Sequence, residues 1–332
     1  MADLIRSLPK VELHLHLDCS AGLRTLRAAN PTLTEEQFKD RFVPRERFAD
    51  LPSFIDRATA LVGELQTERV LRLMVDETMD GLAADGVVYA EPRFAPHQHT
   101  AGGLSPHEVV SIVESQLRAA ISRTGVEARL ILCTLMHYPV ETSIEVAALA
   151  AEYRGTCVTG FDVAGDAVNY DLRAHREAFA AARESGVSIT VHAGEADGPE
   201  SMWVALDELG ADRIGHGIRS VDDRRLVDRL VRERVHLEIC PRCNVQIGTA
   251  PSIPDHPIHE LRERGVSLGI SSDSRTLTGS VLEEYVALRR DAAWQFEWMR
   301  QANLDAIEAS FVEQSVKDRI AANLQEWSPN DA

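Results

Sequence analysis

Histidines 14 and 16 stand two apart in "HLHLD". Side chains two apart on a strand face the same way, so both imidazoles can reach one ion. A plainer reading is a pair of strand residues that are only hydrogen-bonded. His192 in "TVHAGE", His216 in "IGHG" and Asp273 in "SSDSRTL" add three titratable groups, each closing an apolar run. Imidazole and carboxylate ligands suit zinc with one position left open for water. Such an ion lowers the pKa of a bound water to about 7 and so makes a nucleophile for hydrolysis. "GFDVAGD" holds no lysine of the kind that bridges two ions, so one Zn²⁺ per chain is expected. Asp162 and Asp166 in that stretch read as turn caps.

Groups this far apart in sequence meet only if the fold gathers strand ends. Eight apolar runs read as strands: 11–17, 86–94, 127–135, 158–164, 187–193, 212–217, 234–240 and 265–273. Amphipathic helical stretches such as 105–125 and 171–186 separate them, the second stopped by Gly186. Alternating strands and helices imply parallel pairing with right-handed crossovers. Eight such units predict an α/β fold, a (β/α)8 TIM barrel, whose chemistry collects at the C-terminal strand ends. An open doubly wound sheet would prefer a glycine-rich phosphate loop after the first strand, and none is present. The stretch 21–85 exceeds one crossover and predicts extra helices after the first strand, capping the barrel mouth within one domain spanning 1–332. The chain beyond about 281 reads as helical and then polar.

The chain has 332 residues, 44% hydrophobic, with 35 Lys plus Arg against 52 Asp plus Glu and a formal net charge of -17. That balance repels phosphate backbones and argues against nucleic-acid polymers as partners. No apolar run is long enough for a membrane span, and the N-terminus lacks a signal-peptide core. Five cysteines, an odd number, fit a reducing cytoplasm better than a disulfide framework.

"HLEICPRC" superficially resembles the H-x-E and P-C-x-x-C pieces that hold zinc in nucleobase deaminases. His236, Glu238, Cys240 and Cys243 are too close in sequence to fold back around one ion, so the expectation is a buried strand with packing cysteines. His107, His175, His256 and His259, and His97, His99 and His137 after the second and third strands, read as solvated helix or loop histidines. Of these, His97, His99 and His137 are placed to line the mouth.

"LPKVELHLHLD", "YAEPRFAP", "GFDVAGD", "VHAGE", "IGHGIRS" and "SSD", in that order from about residue 8 to 275, resemble the adenosine deaminase family of the amidohydrolase superfamily. The resemblance implies zinc held by His14, His16, His192 and Asp273. It implies Glu195 as proton donor to the ring nitrogen beside the amino-bearing carbon, and His216 as the group that orients water and helps take its proton. Asp18 would lie near sugar hydroxyls, and Gly165 would offer backbone contact to a purine. Glu195 must then be protonated at working pH, which requires a dry pocket. Read alone, Glu195 is equally a helix-start acid and Gly194 an ordinary turn glycine.

Three residues depart from the family pattern. Ser274 stands where many members carry a second aspartate that reads the purine edge, with Arg275 beside it as a candidate to reshape that edge. Cys19 stands where glycine is common, and the arginine often found before the "LMHYP" histidine is missing. The default substrate is adenosine or 2′-deoxyadenosine. Adenine, a 5′-modified adenine nucleoside or another aminated heterocycle is the alternative, because one changed polar contact redirects specificity. Rivals of other kinds are an amide, lactone or ester hydrolase on the same barrel, and a nucleoside-binding protein with structural zinc.

Overall fold

The computed structural model describes residues 1–329. Short apolar segments interrupted by single charges form nine parallel strands: β1 (Lys10–His16), β2 (Val87–Phe94), β3 (Glu127–Ala128), β4 (Leu130–Leu135), β5 (Val158–Ala164), β6 (Ser188–Ala193), β7 (Arg213–His216), β8 (His236–Ile239) and β9 (Leu268–Ile270). Neighbours run β1-β2-β4-β5-β6-β7-β8-β9, with β3 paired only to β2. The ring closes where His16 N donates to Asp273 O at 2.6 Å and Asp273 N donates to His14 O at 2.9 Å. The fold is the expected (β/α)8 barrel.

Three local differences from the sequence reading have physical causes. The run 127–135 divides at Arg129, whose amide turns back to Ala90 O while Leu130 N pairs with Cys157 O. The last run is regular only over Leu268–Ile270, because side chains replace its ladder beyond that point. Ser271 Oγ accepts the amides of Leu13 and His14, and Glu12 accepts Ser272 N at 2.8 Å. β1 also shifts register between Glu12 and Leu15. A bulge breaks strict alternation. Leu13 therefore packs with Val11, Tyr89, Ala306 and Ile307, while Leu15 and Leu17 join the large helix-facing core.

Residues 21–85 carry four helices: Leu23–Ala29, Glu35–Phe42, Leu51–Val62 and Glu68–Ala84. Glu68–Ala84 packs against helix Pro106–Thr124 and β2, as a crossover helix does. Helix Leu51–Val62 starts at Asp50, whose side chain accepts Ser53 N, with Pro52 in its first turn. Both are N-terminal signals legible in sequence. The chain beyond 281 folds as helices Val281–Ala292, Phe296–Ala309 and Gln314–Glu326. The middle one packs on β1, β8 and β9. Among the described residues, no helix is long and apolar enough to cross a membrane.

Candidate active site

The ends of β1, β6 and β7 bring His14, His16, His192 and His216 together, with ring centroids of neighbouring pairs 4.5–5.5 Å apart. One ring nitrogen from each of His14, His16 and His192 lies within 4.8 Å of the others. Asp273 completes the cluster, with Oδ1 3.9 Å from His16 Nε2 and Oδ2 3.6 Å from His216 Nε2. His216 and Asp273 both have positive φ, 61° and 65°. That region is uncommon for residues with a Cβ and gathers at functional sites.

The donor set fits a cation. His14 Nδ1 meets Glu238 Oε2 at 2.8 Å, and His192 Nδ1 meets Asp162 Oδ2 at 3.0 Å. Ionised carboxylates only accept, so the Nδ1 atoms carry the protons and the Nε2 lone pairs point inward. His14 Nε2 is buried with no hydrogen-bond partner, and His192 Nε2 faces His16 Nε2 at 3.0 Å. An orphaned buried acceptor is costly, and a shared ion relieves it.

Beneath the histidines lies a floor of buried charge. Arg93 donates to Asp162 Oδ2 and to Glu238 Oε2, both at 2.6 Å. Arg213 pairs with Glu238 and with Glu91, and Thr190 Oγ1 donates to Glu238 Oε1 at 2.9 Å. Burial alone would raise the Glu238 carboxyl, but Arg93 and Arg213 overcome it and hold it down at about 2. Burial likewise opposes ionisation of Asp162, and His192 and Arg93 hold it below its usual range. From below, Phe311 N donates to Glu91 at 2.6 Å and the Phe311 ring lies 3.7 Å from the Arg213 guanidinium.

The cavity above the cluster is lined by His16, Asp18, His192, Glu195, His216 and Asp273 on its inner side. Gly165, Ser274, Cys19 and His137 also face it, and Leu51, Phe54, Ile55, Ala58 and Val62 of one helix form its roof. Glu195 is 7% exposed. Burial raises its carboxyl well above the ordinary range, with Asp273 and Asp197 adding to the effect. Asn244 Nδ2 lies 3.3 Å from both Glu195 Oε1 and His216 Nδ1. Burial lowers His216 to about 3 despite the pull of Asp273, which leaves a neutral imidazole at pH 7. Gly194 has φ +64°, and a Cβ there would stand 2.4 Å from Met202 Sδ, so the turn into Glu195 needs glycine.

Eight of the nine candidate residues, His16, Asp18, Gly165, His192, Glu195, His216, Asp273 and Ser274, thus line one cavity, and the ninth, His14, is fully buried against the other histidines. The surrounding expectations fare unevenly. Asp162 is no turn cap: it lies on β5, buried, against His192 and Arg93. Arg275 turns away from the cavity and donates to Asp85 Oδ2 at 2.7 Å, so it does not shape the purine edge. Ser274 Oγ donates its proton to Asp273 Oδ1 at 2.7 Å, so toward the cavity it lines it can act only as an acceptor. His99 and His175 are fully buried and His256 nearly so, bonded to Leu65 O, Ser143 and Asn244 respectively. Loop backbone polar groups needed internal partners there. Cys240 and Cys243 are buried free thiols packed with Leu51, Phe54 and Leu277.

Sequence reasoning missed Glu238's grip on His14, along with Arg93, Arg213, Asn244 and Gly215. Charged residues inside apolar strands were a usable signal for the first three. Nothing local marked Asn244. Gly215 admits the His14 ring: a Cβ there would lie 2.9 Å from His14 Cε1.

Comparison with known proteins places the chain among deaminases. The family described as Adenosine deaminase matches residues 9–327. An adenosine deaminase of Clostridium acetobutylicum is 31% identical over 329 residues, covering 96% of this chain and 98% of the relative. An adenine deaminase of Streptomyces coelicolor is 33% identical over 331 residues, covering 98% and 97%. The crystal structure of adenine deaminase from Arthrobacter aurescens superposes with TM-score 0.88 at 27% identity, covering 96% and 98%. The chain belongs to the adenosine deaminase family and is a hydrolytic deaminase acting on carbon–nitrogen bonds.

Proposed function

We propose that the protein deaminates 6-aminopurine nucleosides, adenosine and 2′-deoxyadenosine, to the 6-keto products and ammonia. The observation that carries this reading is Glu195, a buried carboxyl raised well above its ordinary range, in one cavity with the histidine cluster. A protonated acid at that place serves an aromatic ring, which resists attack until a ring nitrogen accepts a proton. An ester or lactone hydrolase has no use for it.

His14, His16, His192 and Asp273 are the residues to hold one Zn²⁺. When bound, zinc would supply an activated water at neutral pH and stabilise the charge that develops on attack. The remaining work belongs to the chain. Glu195 protonates the ring nitrogen beside the amino-bearing carbon. Neutral His216 takes the proton released by the attacking water and returns it to the departing amine, and the proton lost from the new hydroxyl as the keto group forms restores Glu195. Asn244, between Glu195 and His216, holds both side chains in place. Asp18, whose Oδ2 accepts Ala95 N at 3.2 Å, is fixed to accept sugar hydroxyls. Gly165, with φ +111°, brings backbone close to the base. Ser274 acts through Asp273. The apolar roof helix Leu51–Val62 serves as the cap that keeps the ring in a dry space.

Substrate charge follows from the lining. The residues facing the cavity include Asp18, Glu195 and Asp273 but neither lysine nor arginine. A phosphate there would find no lysine or arginine to pair with and would be repelled by Asp18, so unphosphorylated substrates are favoured over nucleotides. The relatives named adenine deaminase make the free base the second candidate.

The test is an ultraviolet assay of the zinc-loaded protein on adenosine, 2′-deoxyadenosine, adenine and AMP. Turnover of both nucleosides, with AMP at least about a hundredfold poorer, is the expected result. Consumption of adenine alone would replace the nucleoside reading, and equal use of AMP would overturn the argument from charge.

A further inference from the structure

We propose that Arg93 is a positioning residue that ties the two carboxylate-held histidines, His14 and His192, into one unit. The proposal rests on the reading that these histidines hold the metal. Arg93 is fully buried on β2, and its two terminal nitrogens go to different carboxylates. Nη1 donates to Asp162 Oδ2 at 2.6 Å, and Asp162 accepts from His192 Nδ1. Nη2 donates to Glu238 Oε2 at 2.6 Å, the same oxygen that accepts from His14 Nδ1 at 2.8 Å. Strands β1, β2, β5, β6 and β8 thus converge on one guanidinium.

The arrangement has a chemical logic. Each carboxylate needs a cation to stay ionised at zero exposure, and each must stay ionised to keep its histidine's proton on Nδ1. Two separate cations would let the two rings move independently. A planar fork with fixed spacing does not, because turning one carboxylate turns the guanidinium and hence the other. Arg213 supports Glu238 from the opposite side but makes no contact with Asp162, so it cannot replace Arg93 as the shared element.

Arg93→Lys keeps the charge and loses the fork. Two measurements on the full chain test the proposal. The first is the tautomer of His14 and His192 in the zinc-free protein, read from ring nitrogen NMR shifts. The second is zinc affinity, measured by competition with a chromophoric chelator. In the wild type both rings are expected as the Nδ1–H form. Arg93→Lys is expected to lose that single tautomer at both rings and to weaken zinc binding about 10- to 100-fold. Glu238→Gln, of equal volume, is expected to disturb His14 first. Unchanged tautomers at both rings in Arg93→Lys, or a change confined to His14, would overturn the shared role. If Arg93→Lys does not fold, a double-mutant cycle of Glu238→Gln and Asp162→Asn decides. Their effects on zinc affinity must be non-additive if one guanidinium couples them, and additive if not. A wild type that binds no zinc would refute the metal reading and leave the tautomer result to judge Arg93 by itself.

Discussion

The floor and the roof of the cavity are built on opposite principles. The floor is charge: Asp162, Arg93, Glu238, Arg213 and Glu91 are strand residues, all at zero exposure, each paired on two sides. The roof is apolar: Leu51, Phe54, Ile55, Ala58 and Val62 sit on a single helix of the inserted stretch. A paired buried network gains no great stability over an apolar core, but it fixes geometry, since removing one partner strands the others. An apolar surface makes few demands on direction and yields to shape. The lesson is a division of labour. The floor sets where histidine lone pairs point, and the roof sets how dry the space is and what fits within it.

Glu195 stands between the two regions, and Glu195→Gln should lower kcat by about a thousandfold while leaving zinc content unchanged, as measured by steady-state kinetics with metal analysis. A loss under tenfold would mean that the acid is not the proton donor. Because its working form is protonated, kcat should be flat at low pH and fall as pH rises through the Glu195 pKa. That limb lies above the ordinary carboxylate range, because burial raises the group. A kcat–pH profile that falls instead toward acid would reverse the assignment.

Within the floor, Asp162→Asn should cost about 10- to 100-fold in zinc affinity, since His192 loses its charged acceptor. Wild-type affinity would show that the floor stabilises the barrel and does nothing for the histidines. Within the roof, Phe54→Ala should raise KM about tenfold with little change in kcat, because it removes uniform apolar contact. If kcat falls in step, the roof has a direct part in the chemistry and the division fails. The smallest effect is expected at Ser274→Ala. One hydrogen bond to Asp273 Oδ1 disappears, a loss of about 1 kcal/mol, and kcat should drop by less than about tenfold. An altered preference between adenosine and adenine in this variant would show that Ser274 touches the substrate after all.

The reasons for partial legibility differ by residue. His14 and His16 were visible because strand periodicity is local. His192, His216 and Asp273 were visible because each closes an apolar run, and a barrel gathers such ends at one mouth. The register shift in β1 between Glu12 and Leu15 was hidden because it goes with bonds of Leu13 and Glu12 to Ser271 and Ser272, some 260 residues away. Arg275 was misassigned because its partner, Asp85, lies on a distant turn. The buried state of His99, His175 and His256 was hidden for the same reason: which loop groups lose water is decided by what packs over them.

The sequence by itself determined the alternation of strands and helices, the types of chemistry-bearing residues and their positions at strand ends, since each follows from local periodicity and from the covalent order of side chains. Only the tertiary structure decided which nitrogen of each histidine faces inward, which arginine binds which carboxylate, and which helix covers the cavity. Those choices are set by hydrogen bonds and desolvation between segments that become neighbours only when the barrel closes, and their directions are written in no single stretch of chain.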